Sequence, residues 1–334
     1  MRSFAGLLGA GLLATVLAGC ATPQVAPAGG QPGTPHLEPH HAVMADGYRL
    51  PYSVWRPAGP PRAVVLALHG LNDYRHAYAT VGPYLAGRGI VVYAYDQRGF
   101  GATEGRGLWH GTDKLVDDMR TLSRLLRRRH PGLPLYLLGE SMGAAVLLAA
   151  QGDGQATVPA DGMILTAPAV WARETMPFYQ RYLLWLVAHT FPHRTFTGKG
   201  LKVTASDNID MLRAQGRDPL VIKATRADVL WGLTNLMDRA LAAAPKLHLP
   251  TLILYGERDE IIPKKPACRL LTDLTSSGNG YWQAVLYPRG YHMLTRDLQA
   301  ERVLNDIVRW VLAPVKTTPR PAAGRAAAIE RFCG

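Results

Sequence analysis

The stretch Gly139-Glu140-Ser141-Met142-Gly143 holds the residues best suited to do chemistry. Its serine stands between the apolar run 135–138 and the helix-forming run 144–151, with glycines two residues before and after it. Strand, sharp turn and helix in that order make a nucleophile elbow. The turn forces Ser141 into strained dihedrals and lifts its hydroxyl above the strand end, while the glycines let strand and helix pass without colliding. The helix start points free N–H groups and positive partial charge at the same spot, which favours an oxyanion. A serine hydroxyl needs a base, and the base needs an orienting carboxylate. Asp259 follows the apolar run 251–255, and His292 follows the run 282–287, so a Ser, Asp, His order is available along the chain. Glu257 and Glu260 compete with Asp259 but stand worse relative to the strand end. His69-Gly70-Leu71-Asn72-Asp73 follows the run 63–68 and offers the Leu71 N–H as one oxyanion donor, with the Met142 N–H as the second.

Those loops need a scaffold. Between residues 42 and 313 short apolar runs (63–68, 90–95, 135–138, 163–165, 251–255) alternate with amphipathic ones, the pattern of a mostly parallel sheet with helices on both faces. Segments 42–45 and 49–55 around Asp46-Gly47 predict a hairpin at the sheet edge. Leu115, Val116, Met119, Leu122, Leu125 and Leu126 recur at helical spacing, and that helix ends in Arg127-Arg128-Arg129, cations at the negative end of its dipole. Residues 168–245 break the alternation. They are expected to form a mostly helical cap without a strand, over the carboxyl edge of the sheet.

The chain has 334 residues and a net charge of +12, but no aromatic-interleaved basic patch or zinc-finger pattern joins that charge, so nucleic acid is not expected as a partner. Gly99-Phe100-Gly101 lacks the third glycine of a dinucleotide loop. His36, His40 and His41 have no cysteine or second ligand pair beside them, and no metal or cofactor is expected. Residues 1–19 predict an export signal: Arg2, an apolar run 4–18 too short to span a bilayer, then Cys20. Leu17-Ala18-Gly19-Cys20 resembles the lipobox of bacterial lipoproteins, which implies lipidation of Cys20 and a place in the cell envelope. Ala21 at the next position favours the outer membrane, facing the periplasm. Residues 20–41, rich in proline and glycine, are expected to be a tether, and 314–334 a flexible tail. With Cys20 lipidated, Cys268 and Cys333 remain as an even pair able to form a disulfide that staples the tail to the body.

HGLNDYRHAY, YDQRGFGATEG, GESMG, GERDEIIP and GYHML, in this order, resemble the successive motifs of the monoacylglycerol lipase and lysophospholipase branch of α/β-hydrolases, which is related to the S33 serine aminopeptidases. The resemblance spans residues 42–313. It implies an eight-stranded α/β-hydrolase sheet with a cap, and a serine carboxylesterase working through an acyl-enzyme with Ser141 as nucleophile, His292 as base and Asp259 as its orienter. Ala144 stands where many relatives have a third glycine, and Met293 where an acidic residue often follows the histidine. Trp171, Phe178 and Trp185 of the cap are candidates to line an acyl tunnel. Two other functions fit the same residues. A proline iminopeptidase-type enzyme would need cap acids for a free amine, and Glu174, Asp207, Asp210, Asp218 and Asp228 leave that open; a binding lipoprotein would keep the fold without catalysis.

Overall fold

A computed structural model describes residues 21–152, 158–200, 202–278, 280–313 and 329–334. The export signal, Cys20 and the tail from 314 to 328 lie outside the described residues. In chain order the elements are β1 (His36–Leu37), β2 (His41–Val43), β3 (Arg49–Trp55), β4 (Ala63–Leu68), α1 (Val81–Ala86), β5 (Ile90–Tyr95), α2 (Thr112–Arg129), β6 (Leu135–Glu140), α3 (Met142–Ala149) and β7 (Gly162–Thr166). The cap follows with α4 (Phe178–Thr190), β8 (Thr195–Thr197), α5 (Ile209–Arg217), β9 (Ala224–Arg226) and α6 (Ala227–Ala243). Then come β10 (Thr251–Gly256), α7 (Lys264–Ser276), β11 (Trp282–Tyr287) and α8 (Ala300–Leu312).

The sheet runs β1-β2-β3-β5-β4-β6-β7-β10-β11. From β5 to β11 every pairing is parallel, and the first three strands form an antiparallel edge that turns through Asp46-Gly47. Strands β4 and β5 are apolar at every position because both faces are covered. Val64, Leu66 and Leu68 enter one core with Met119 of α2 and Val146 of α3. Val65 and Ala67 enter the other with Val81 and Leu85 of α1 and Leu304 and Ile307 of α8. Burying one such leucine contributes about 1.5–3 kcal/mol. The all-apolar α3 is buried along its whole length, packed between β6 and α6.

Three features differ from the sequence expectation. The sheet has nine strands among the described residues rather than eight, because His36–Leu37 pairs with β2 at its edge. The segment expected to be a tether lies along the body: the Ala21 N–H donates to the His189 carbonyl at the end of α4, the Ala26 N–H to the Trp109 carbonyl, and the Gly33 N–H to the Ala45 carbonyl. Its backbone groups find partners on the body, and β1 follows inside it. The cap contains a two-stranded ladder, β8 with β9, where no strand was expected; three-residue strands leave no readable alternation. The predicted Cys268–Cys333 disulfide is present, joining α7 to the last residues of the chain. Phe332 packs edge-on against Tyr255 of β10, so the end of the chain is seated on the body.

Candidate active site

Ser141 follows β6 at the carboxyl end of the parallel sheet, the end from which the loops after β4, β10 and β11 also leave. Ser141 has φ 53° and ψ −112°, a left-handed conformation that costs about 1–3 kcal/mol for a non-glycine residue. It is held there because the Ser141 N–H donates to the Thr166 carbonyl of β7, and the Ser141 carbonyl accepts from the N–H groups of Ala145 and Ala169. A side chain at Gly143 would place its Cβ 2.2 Å from the Leu68 carbonyl oxygen, so only glycine lets α3 start this close to β4. Ser141 is buried, with 8% of its surface exposed.

His292 and Asp259 meet on the loops that follow β11 and β10. The Asp259 Oδ1 accepts from the N–H groups of Ile261 and Ile262 at 2.8 and 2.9 Å. Its Oδ2 lies 2.8 Å from His292 Nδ1. A carboxylate there selects the tautomer with hydrogen on Nδ1, leaving Nε2 basic. A Cβ at Gly256 would come within 2.4 Å of the Gly290 carbonyl oxygen, so the acid and histidine loops approach closely only because that residue is glycine. Glu257 and Glu260 are exposed, and Glu260 accepts from the Thr204 N–H of the cap. Among the three carboxylates of that loop, Asp259 is the one that reaches the histidine.

Burial works against the imidazolium of His292, yet the charge and hydrogen bond of Asp259, joined by the charge of Glu140, raise its pKa above the ordinary value. The base is therefore lost as pH falls while the solution is still near neutral. With a soluble nitrophenyl ester, kcat/KM is expected to fall on the acid side with an apparent pKa above about 6.5, the value of an unperturbed histidine. An acid limb centred below that value would contradict this arrangement.

The oxyanion side has a frame that sequence reading missed. His69 is fully buried, and burial lowers its pKa, so it stays neutral. Its Nε2 accepts from the Gln97 N–H at 3.0 Å, which puts the ring hydrogen on Nδ1, 2.8 Å from the Gly70 carbonyl oxygen. The Gln97 side chain donates to the His69 carbonyl at 2.8 Å. The loop carrying Leu71 is thereby fixed from the YDQRGFG segment. A Cβ at Gly70 would lie 3.3 Å from the Ser141 Cβ, so this loop runs directly over the nucleophile. Met142 is the first residue of α3, where backbone N–H groups have no partner within the helix.

A family model described as serine aminopeptidase, S33, matches residues 59–299. The chain belongs to that family. A monoacylglycerol lipase of Mycolicibacterium smegmatis is 31% identical over 292 residues, covering 82% of this chain and 96% of that protein. The human monoglyceride lipase is 30% identical over 284 residues, covering 83% and 91%. Among solved structures, a soluble variant of the Saccharomyces cerevisiae monoglyceride lipase in complex with a substrate analogue superposes with a TM-score of 0.69 at 22% identity, covering 86% of this chain and 98% of that one. That likeness establishes the α/β-hydrolase fold.

As an S33-family chain the protein departs from the sequence expectation in its cap. Phe178 and Trp185, expected to line an acyl tunnel, are 82% and 44% exposed on the outer side of α4, and Trp171 is partly buried against the main core. The alternation of large apolar residues in α4 gives no sign of which face turns inward, and among its residues only Ala188 is buried. Each of the five cap acids has a partner of its own. Glu174 pairs with Arg269, Asp210 with Arg213 and Asp228 with Arg226. Asp207 accepts from the Leu298 N–H, and Asp218 from the Tyr74 hydroxyl.

Proposed function

We propose that the protein hydrolyses the ester of a single-chain lipid, a monoacylglycerol first and a lysophospholipid second, through an acyl-enzyme on Ser141. The observation that carries this reading is the strained Ser141 elbow in one chain with the bonded His292–Asp259 pair, a chain about 30% identical to monoacylglycerol lipases over nearly their whole length. In the proposed reaction Ser141 Oγ attacks the ester carbonyl carbon while His292 Nε2 takes its proton. The negative charge moves to the carbonyl oxygen, where the N–H groups of Leu71 and Met142 receive it. Collapse breaks the bond to the alcohol, which leaves with the proton held by His292. Water then attacks the acyl-enzyme, again giving its proton to His292, and fatty acid departs with Ser141 restored.

Action at a lipid surface fits the same picture. Phe178, Tyr179, Tyr182, Leu183 and Trp185 give α4 a broad exposed apolar side, with Phe191 following it. Ala21, the residue after the proposed lipidated Cys20, bonds to the end of that helix. An acyl anchor at Cys20 would hold this side against the bilayer of the cell envelope, and nearby cations add about 1 kcal/mol each toward anionic headgroups. No helix among the described residues is long and apolar enough to cross a membrane.

The family's description leaves amide hydrolysis as the competing reaction; it would need free acids to bind an amine, and the five cap acids are already engaged by other partners. The test is turnover by the full chain of a monoacylglycerol, a lysophospholipid, a nitrophenyl ester and a proline arylamide, with the lipids in vesicles. Ester cleavage with the monoacylglycerol preferred is expected, and Cys20→Ser is expected to lose vesicle activity while keeping nitrophenyl ester activity. Arylamide cleavage without ester preference would replace the proposal, and unchanged vesicle activity in Cys20→Ser would remove the anchor from it.

A further inference from the structure

Arg296 lies four residues beyond His292, with its side chain only 9% exposed. Its Nη1 is 2.8 Å from the Asp73 Oδ2, and its Nη2 donates to the Glu140 Oε1. Asp73 is two residues past Leu71 in the oxyanion loop. Glu140 is the last residue of β6, immediately before Ser141. Both carboxylates are buried; the Asp73 Oδ1 also accepts from the adjacent Tyr74 N–H, and the Glu140 Oε2 from the hydroxyl of Thr295 on the histidine loop, next to Arg296. The cap joins through Gln215, whose side chain donates to the Asp73 Oδ2 at 2.8 Å, and through Asn208, which donates to the Arg296 carbonyl at 2.9 Å.

We infer that Arg296 is a positioning residue for the oxyanion hole: its guanidinium ties the loop bearing the Leu71 N–H to the elbow bearing Ser141 and the Met142 N–H, and anchors both to the histidine loop. The two donors leave paired strands, β4 and β6, whose ladder ends at Leu68 and Gly139, so beyond it their spacing is set by contacts between the loops, to which Arg296 adds a direct tie. A guanidinium suits the task because it is planar and rigid, with one Nη aimed at each carboxylate. A lysine would keep the charge but offers one flexible donor centre, unable to hold two carboxylates at a fixed spacing. Burying two carboxylates with one cation is unfavourable unless each is bonded, so the trio stays closed in the folded protein. Because the donors act on charge that appears only in the transition state, a loosened trio should weaken catalysis and leave substrate binding in place.

This inference rests on the serine ester-hydrolase reading, and turnover by the wild-type enzyme tests that reading in the same assay. Arg296→Lys is expected to lower kcat about 10–100-fold with KM changed less than about threefold, since small misplacement of catalytic groups costs rates of that order. An acyl trifluoromethyl ketone, which Ser141 converts to a hemiketal with its oxyanion in the hole, should lose affinity in step with kcat/KM, while the product fatty acid binds as before. Retention of kcat and ketone affinity within about twofold in Arg296→Lys would overturn the assignment, as would a rise in KM with kcat unchanged. If Arg296→Lys does not fold, Glu140→Gln takes its place: it keeps the shape and an acceptor oxygen, the same split is expected, and wild-type kcat would overturn the assignment.

Discussion

Replacing Ser141 by alanine is expected to lower kcat/KM for any ester substrate by about 10⁴–10⁶-fold, with the fold intact. The loss follows from removing the one group that forms the covalent intermediate, and each decade corresponds to about 1.4 kcal/mol of transition-state stabilisation. The fold should survive because the left-handed turn at residue 141 is held by its backbone, through the N–H bond to Thr166 and the carbonyl bonds from Ala145 and Ala169. Alanine meets the same dihedral strain as serine. Initial rates on a nitrophenyl ester and on a monoacylglycerol, with a thermal melt as control, check this. Residual activity within tenfold of wild type would mean that another residue does the attacking.

Asp259→Asn should come second, with a fall in kcat of about 10⁴-fold near neutral pH. The backbone donors at Ile261 and Ile262 would hold the asparagine oxygen where Oδ1 now sits, turning its NH₂ toward His292 Nδ1. That nitrogen must then accept, so the ring hydrogen moves to Nε2, the atom required to take the proton from Ser141. The substitution also removes the charge that opposes burial of the imidazolium, so the His292 pKa should fall. A variant that retained a tenth of wild-type kcat would show that Asp259 does not set the tautomer.

The legible part of this protein is what short sequence spans encode. Strands such as Ala63–Leu68 and Ile90–Tyr95 are readable because both faces are buried and every position is apolar. The Ser141 elbow is readable because its strand, turn and helix lie within about fifteen residues. The pairing of Cys268 with Cys333 was accessible from a count of cysteines. The unreadable part depends on residues distant in the chain. Arg296 meets partners 223 and 156 residues away, and no local spacing announces that. A single glutamate at Glu140, closing an otherwise apolar buried strand, was the available hint, since a buried carboxylate needs a cationic or hydrogen-bonding partner. The exposure of Phe178 and Trp185, candidates for an acyl tunnel, is unreadable for another reason: large apolar residues in a helix ordinarily mark a buried side, whereas here both are exposed.

The most direct test of the account is the mass of the enzyme after reaction with a long-chain alkyl fluorophosphonate, which phosphonylates an activated serine as fluoride leaves. One adduct per chain is predicted, on the peptide containing Ser141, together with loss of monoacylglycerol hydrolysis and no adduct in Ser141→Ala. An adduct on a different residue, or full hydrolytic activity with Ser141 modified, would contradict the central claim that this serine carries the acyl group.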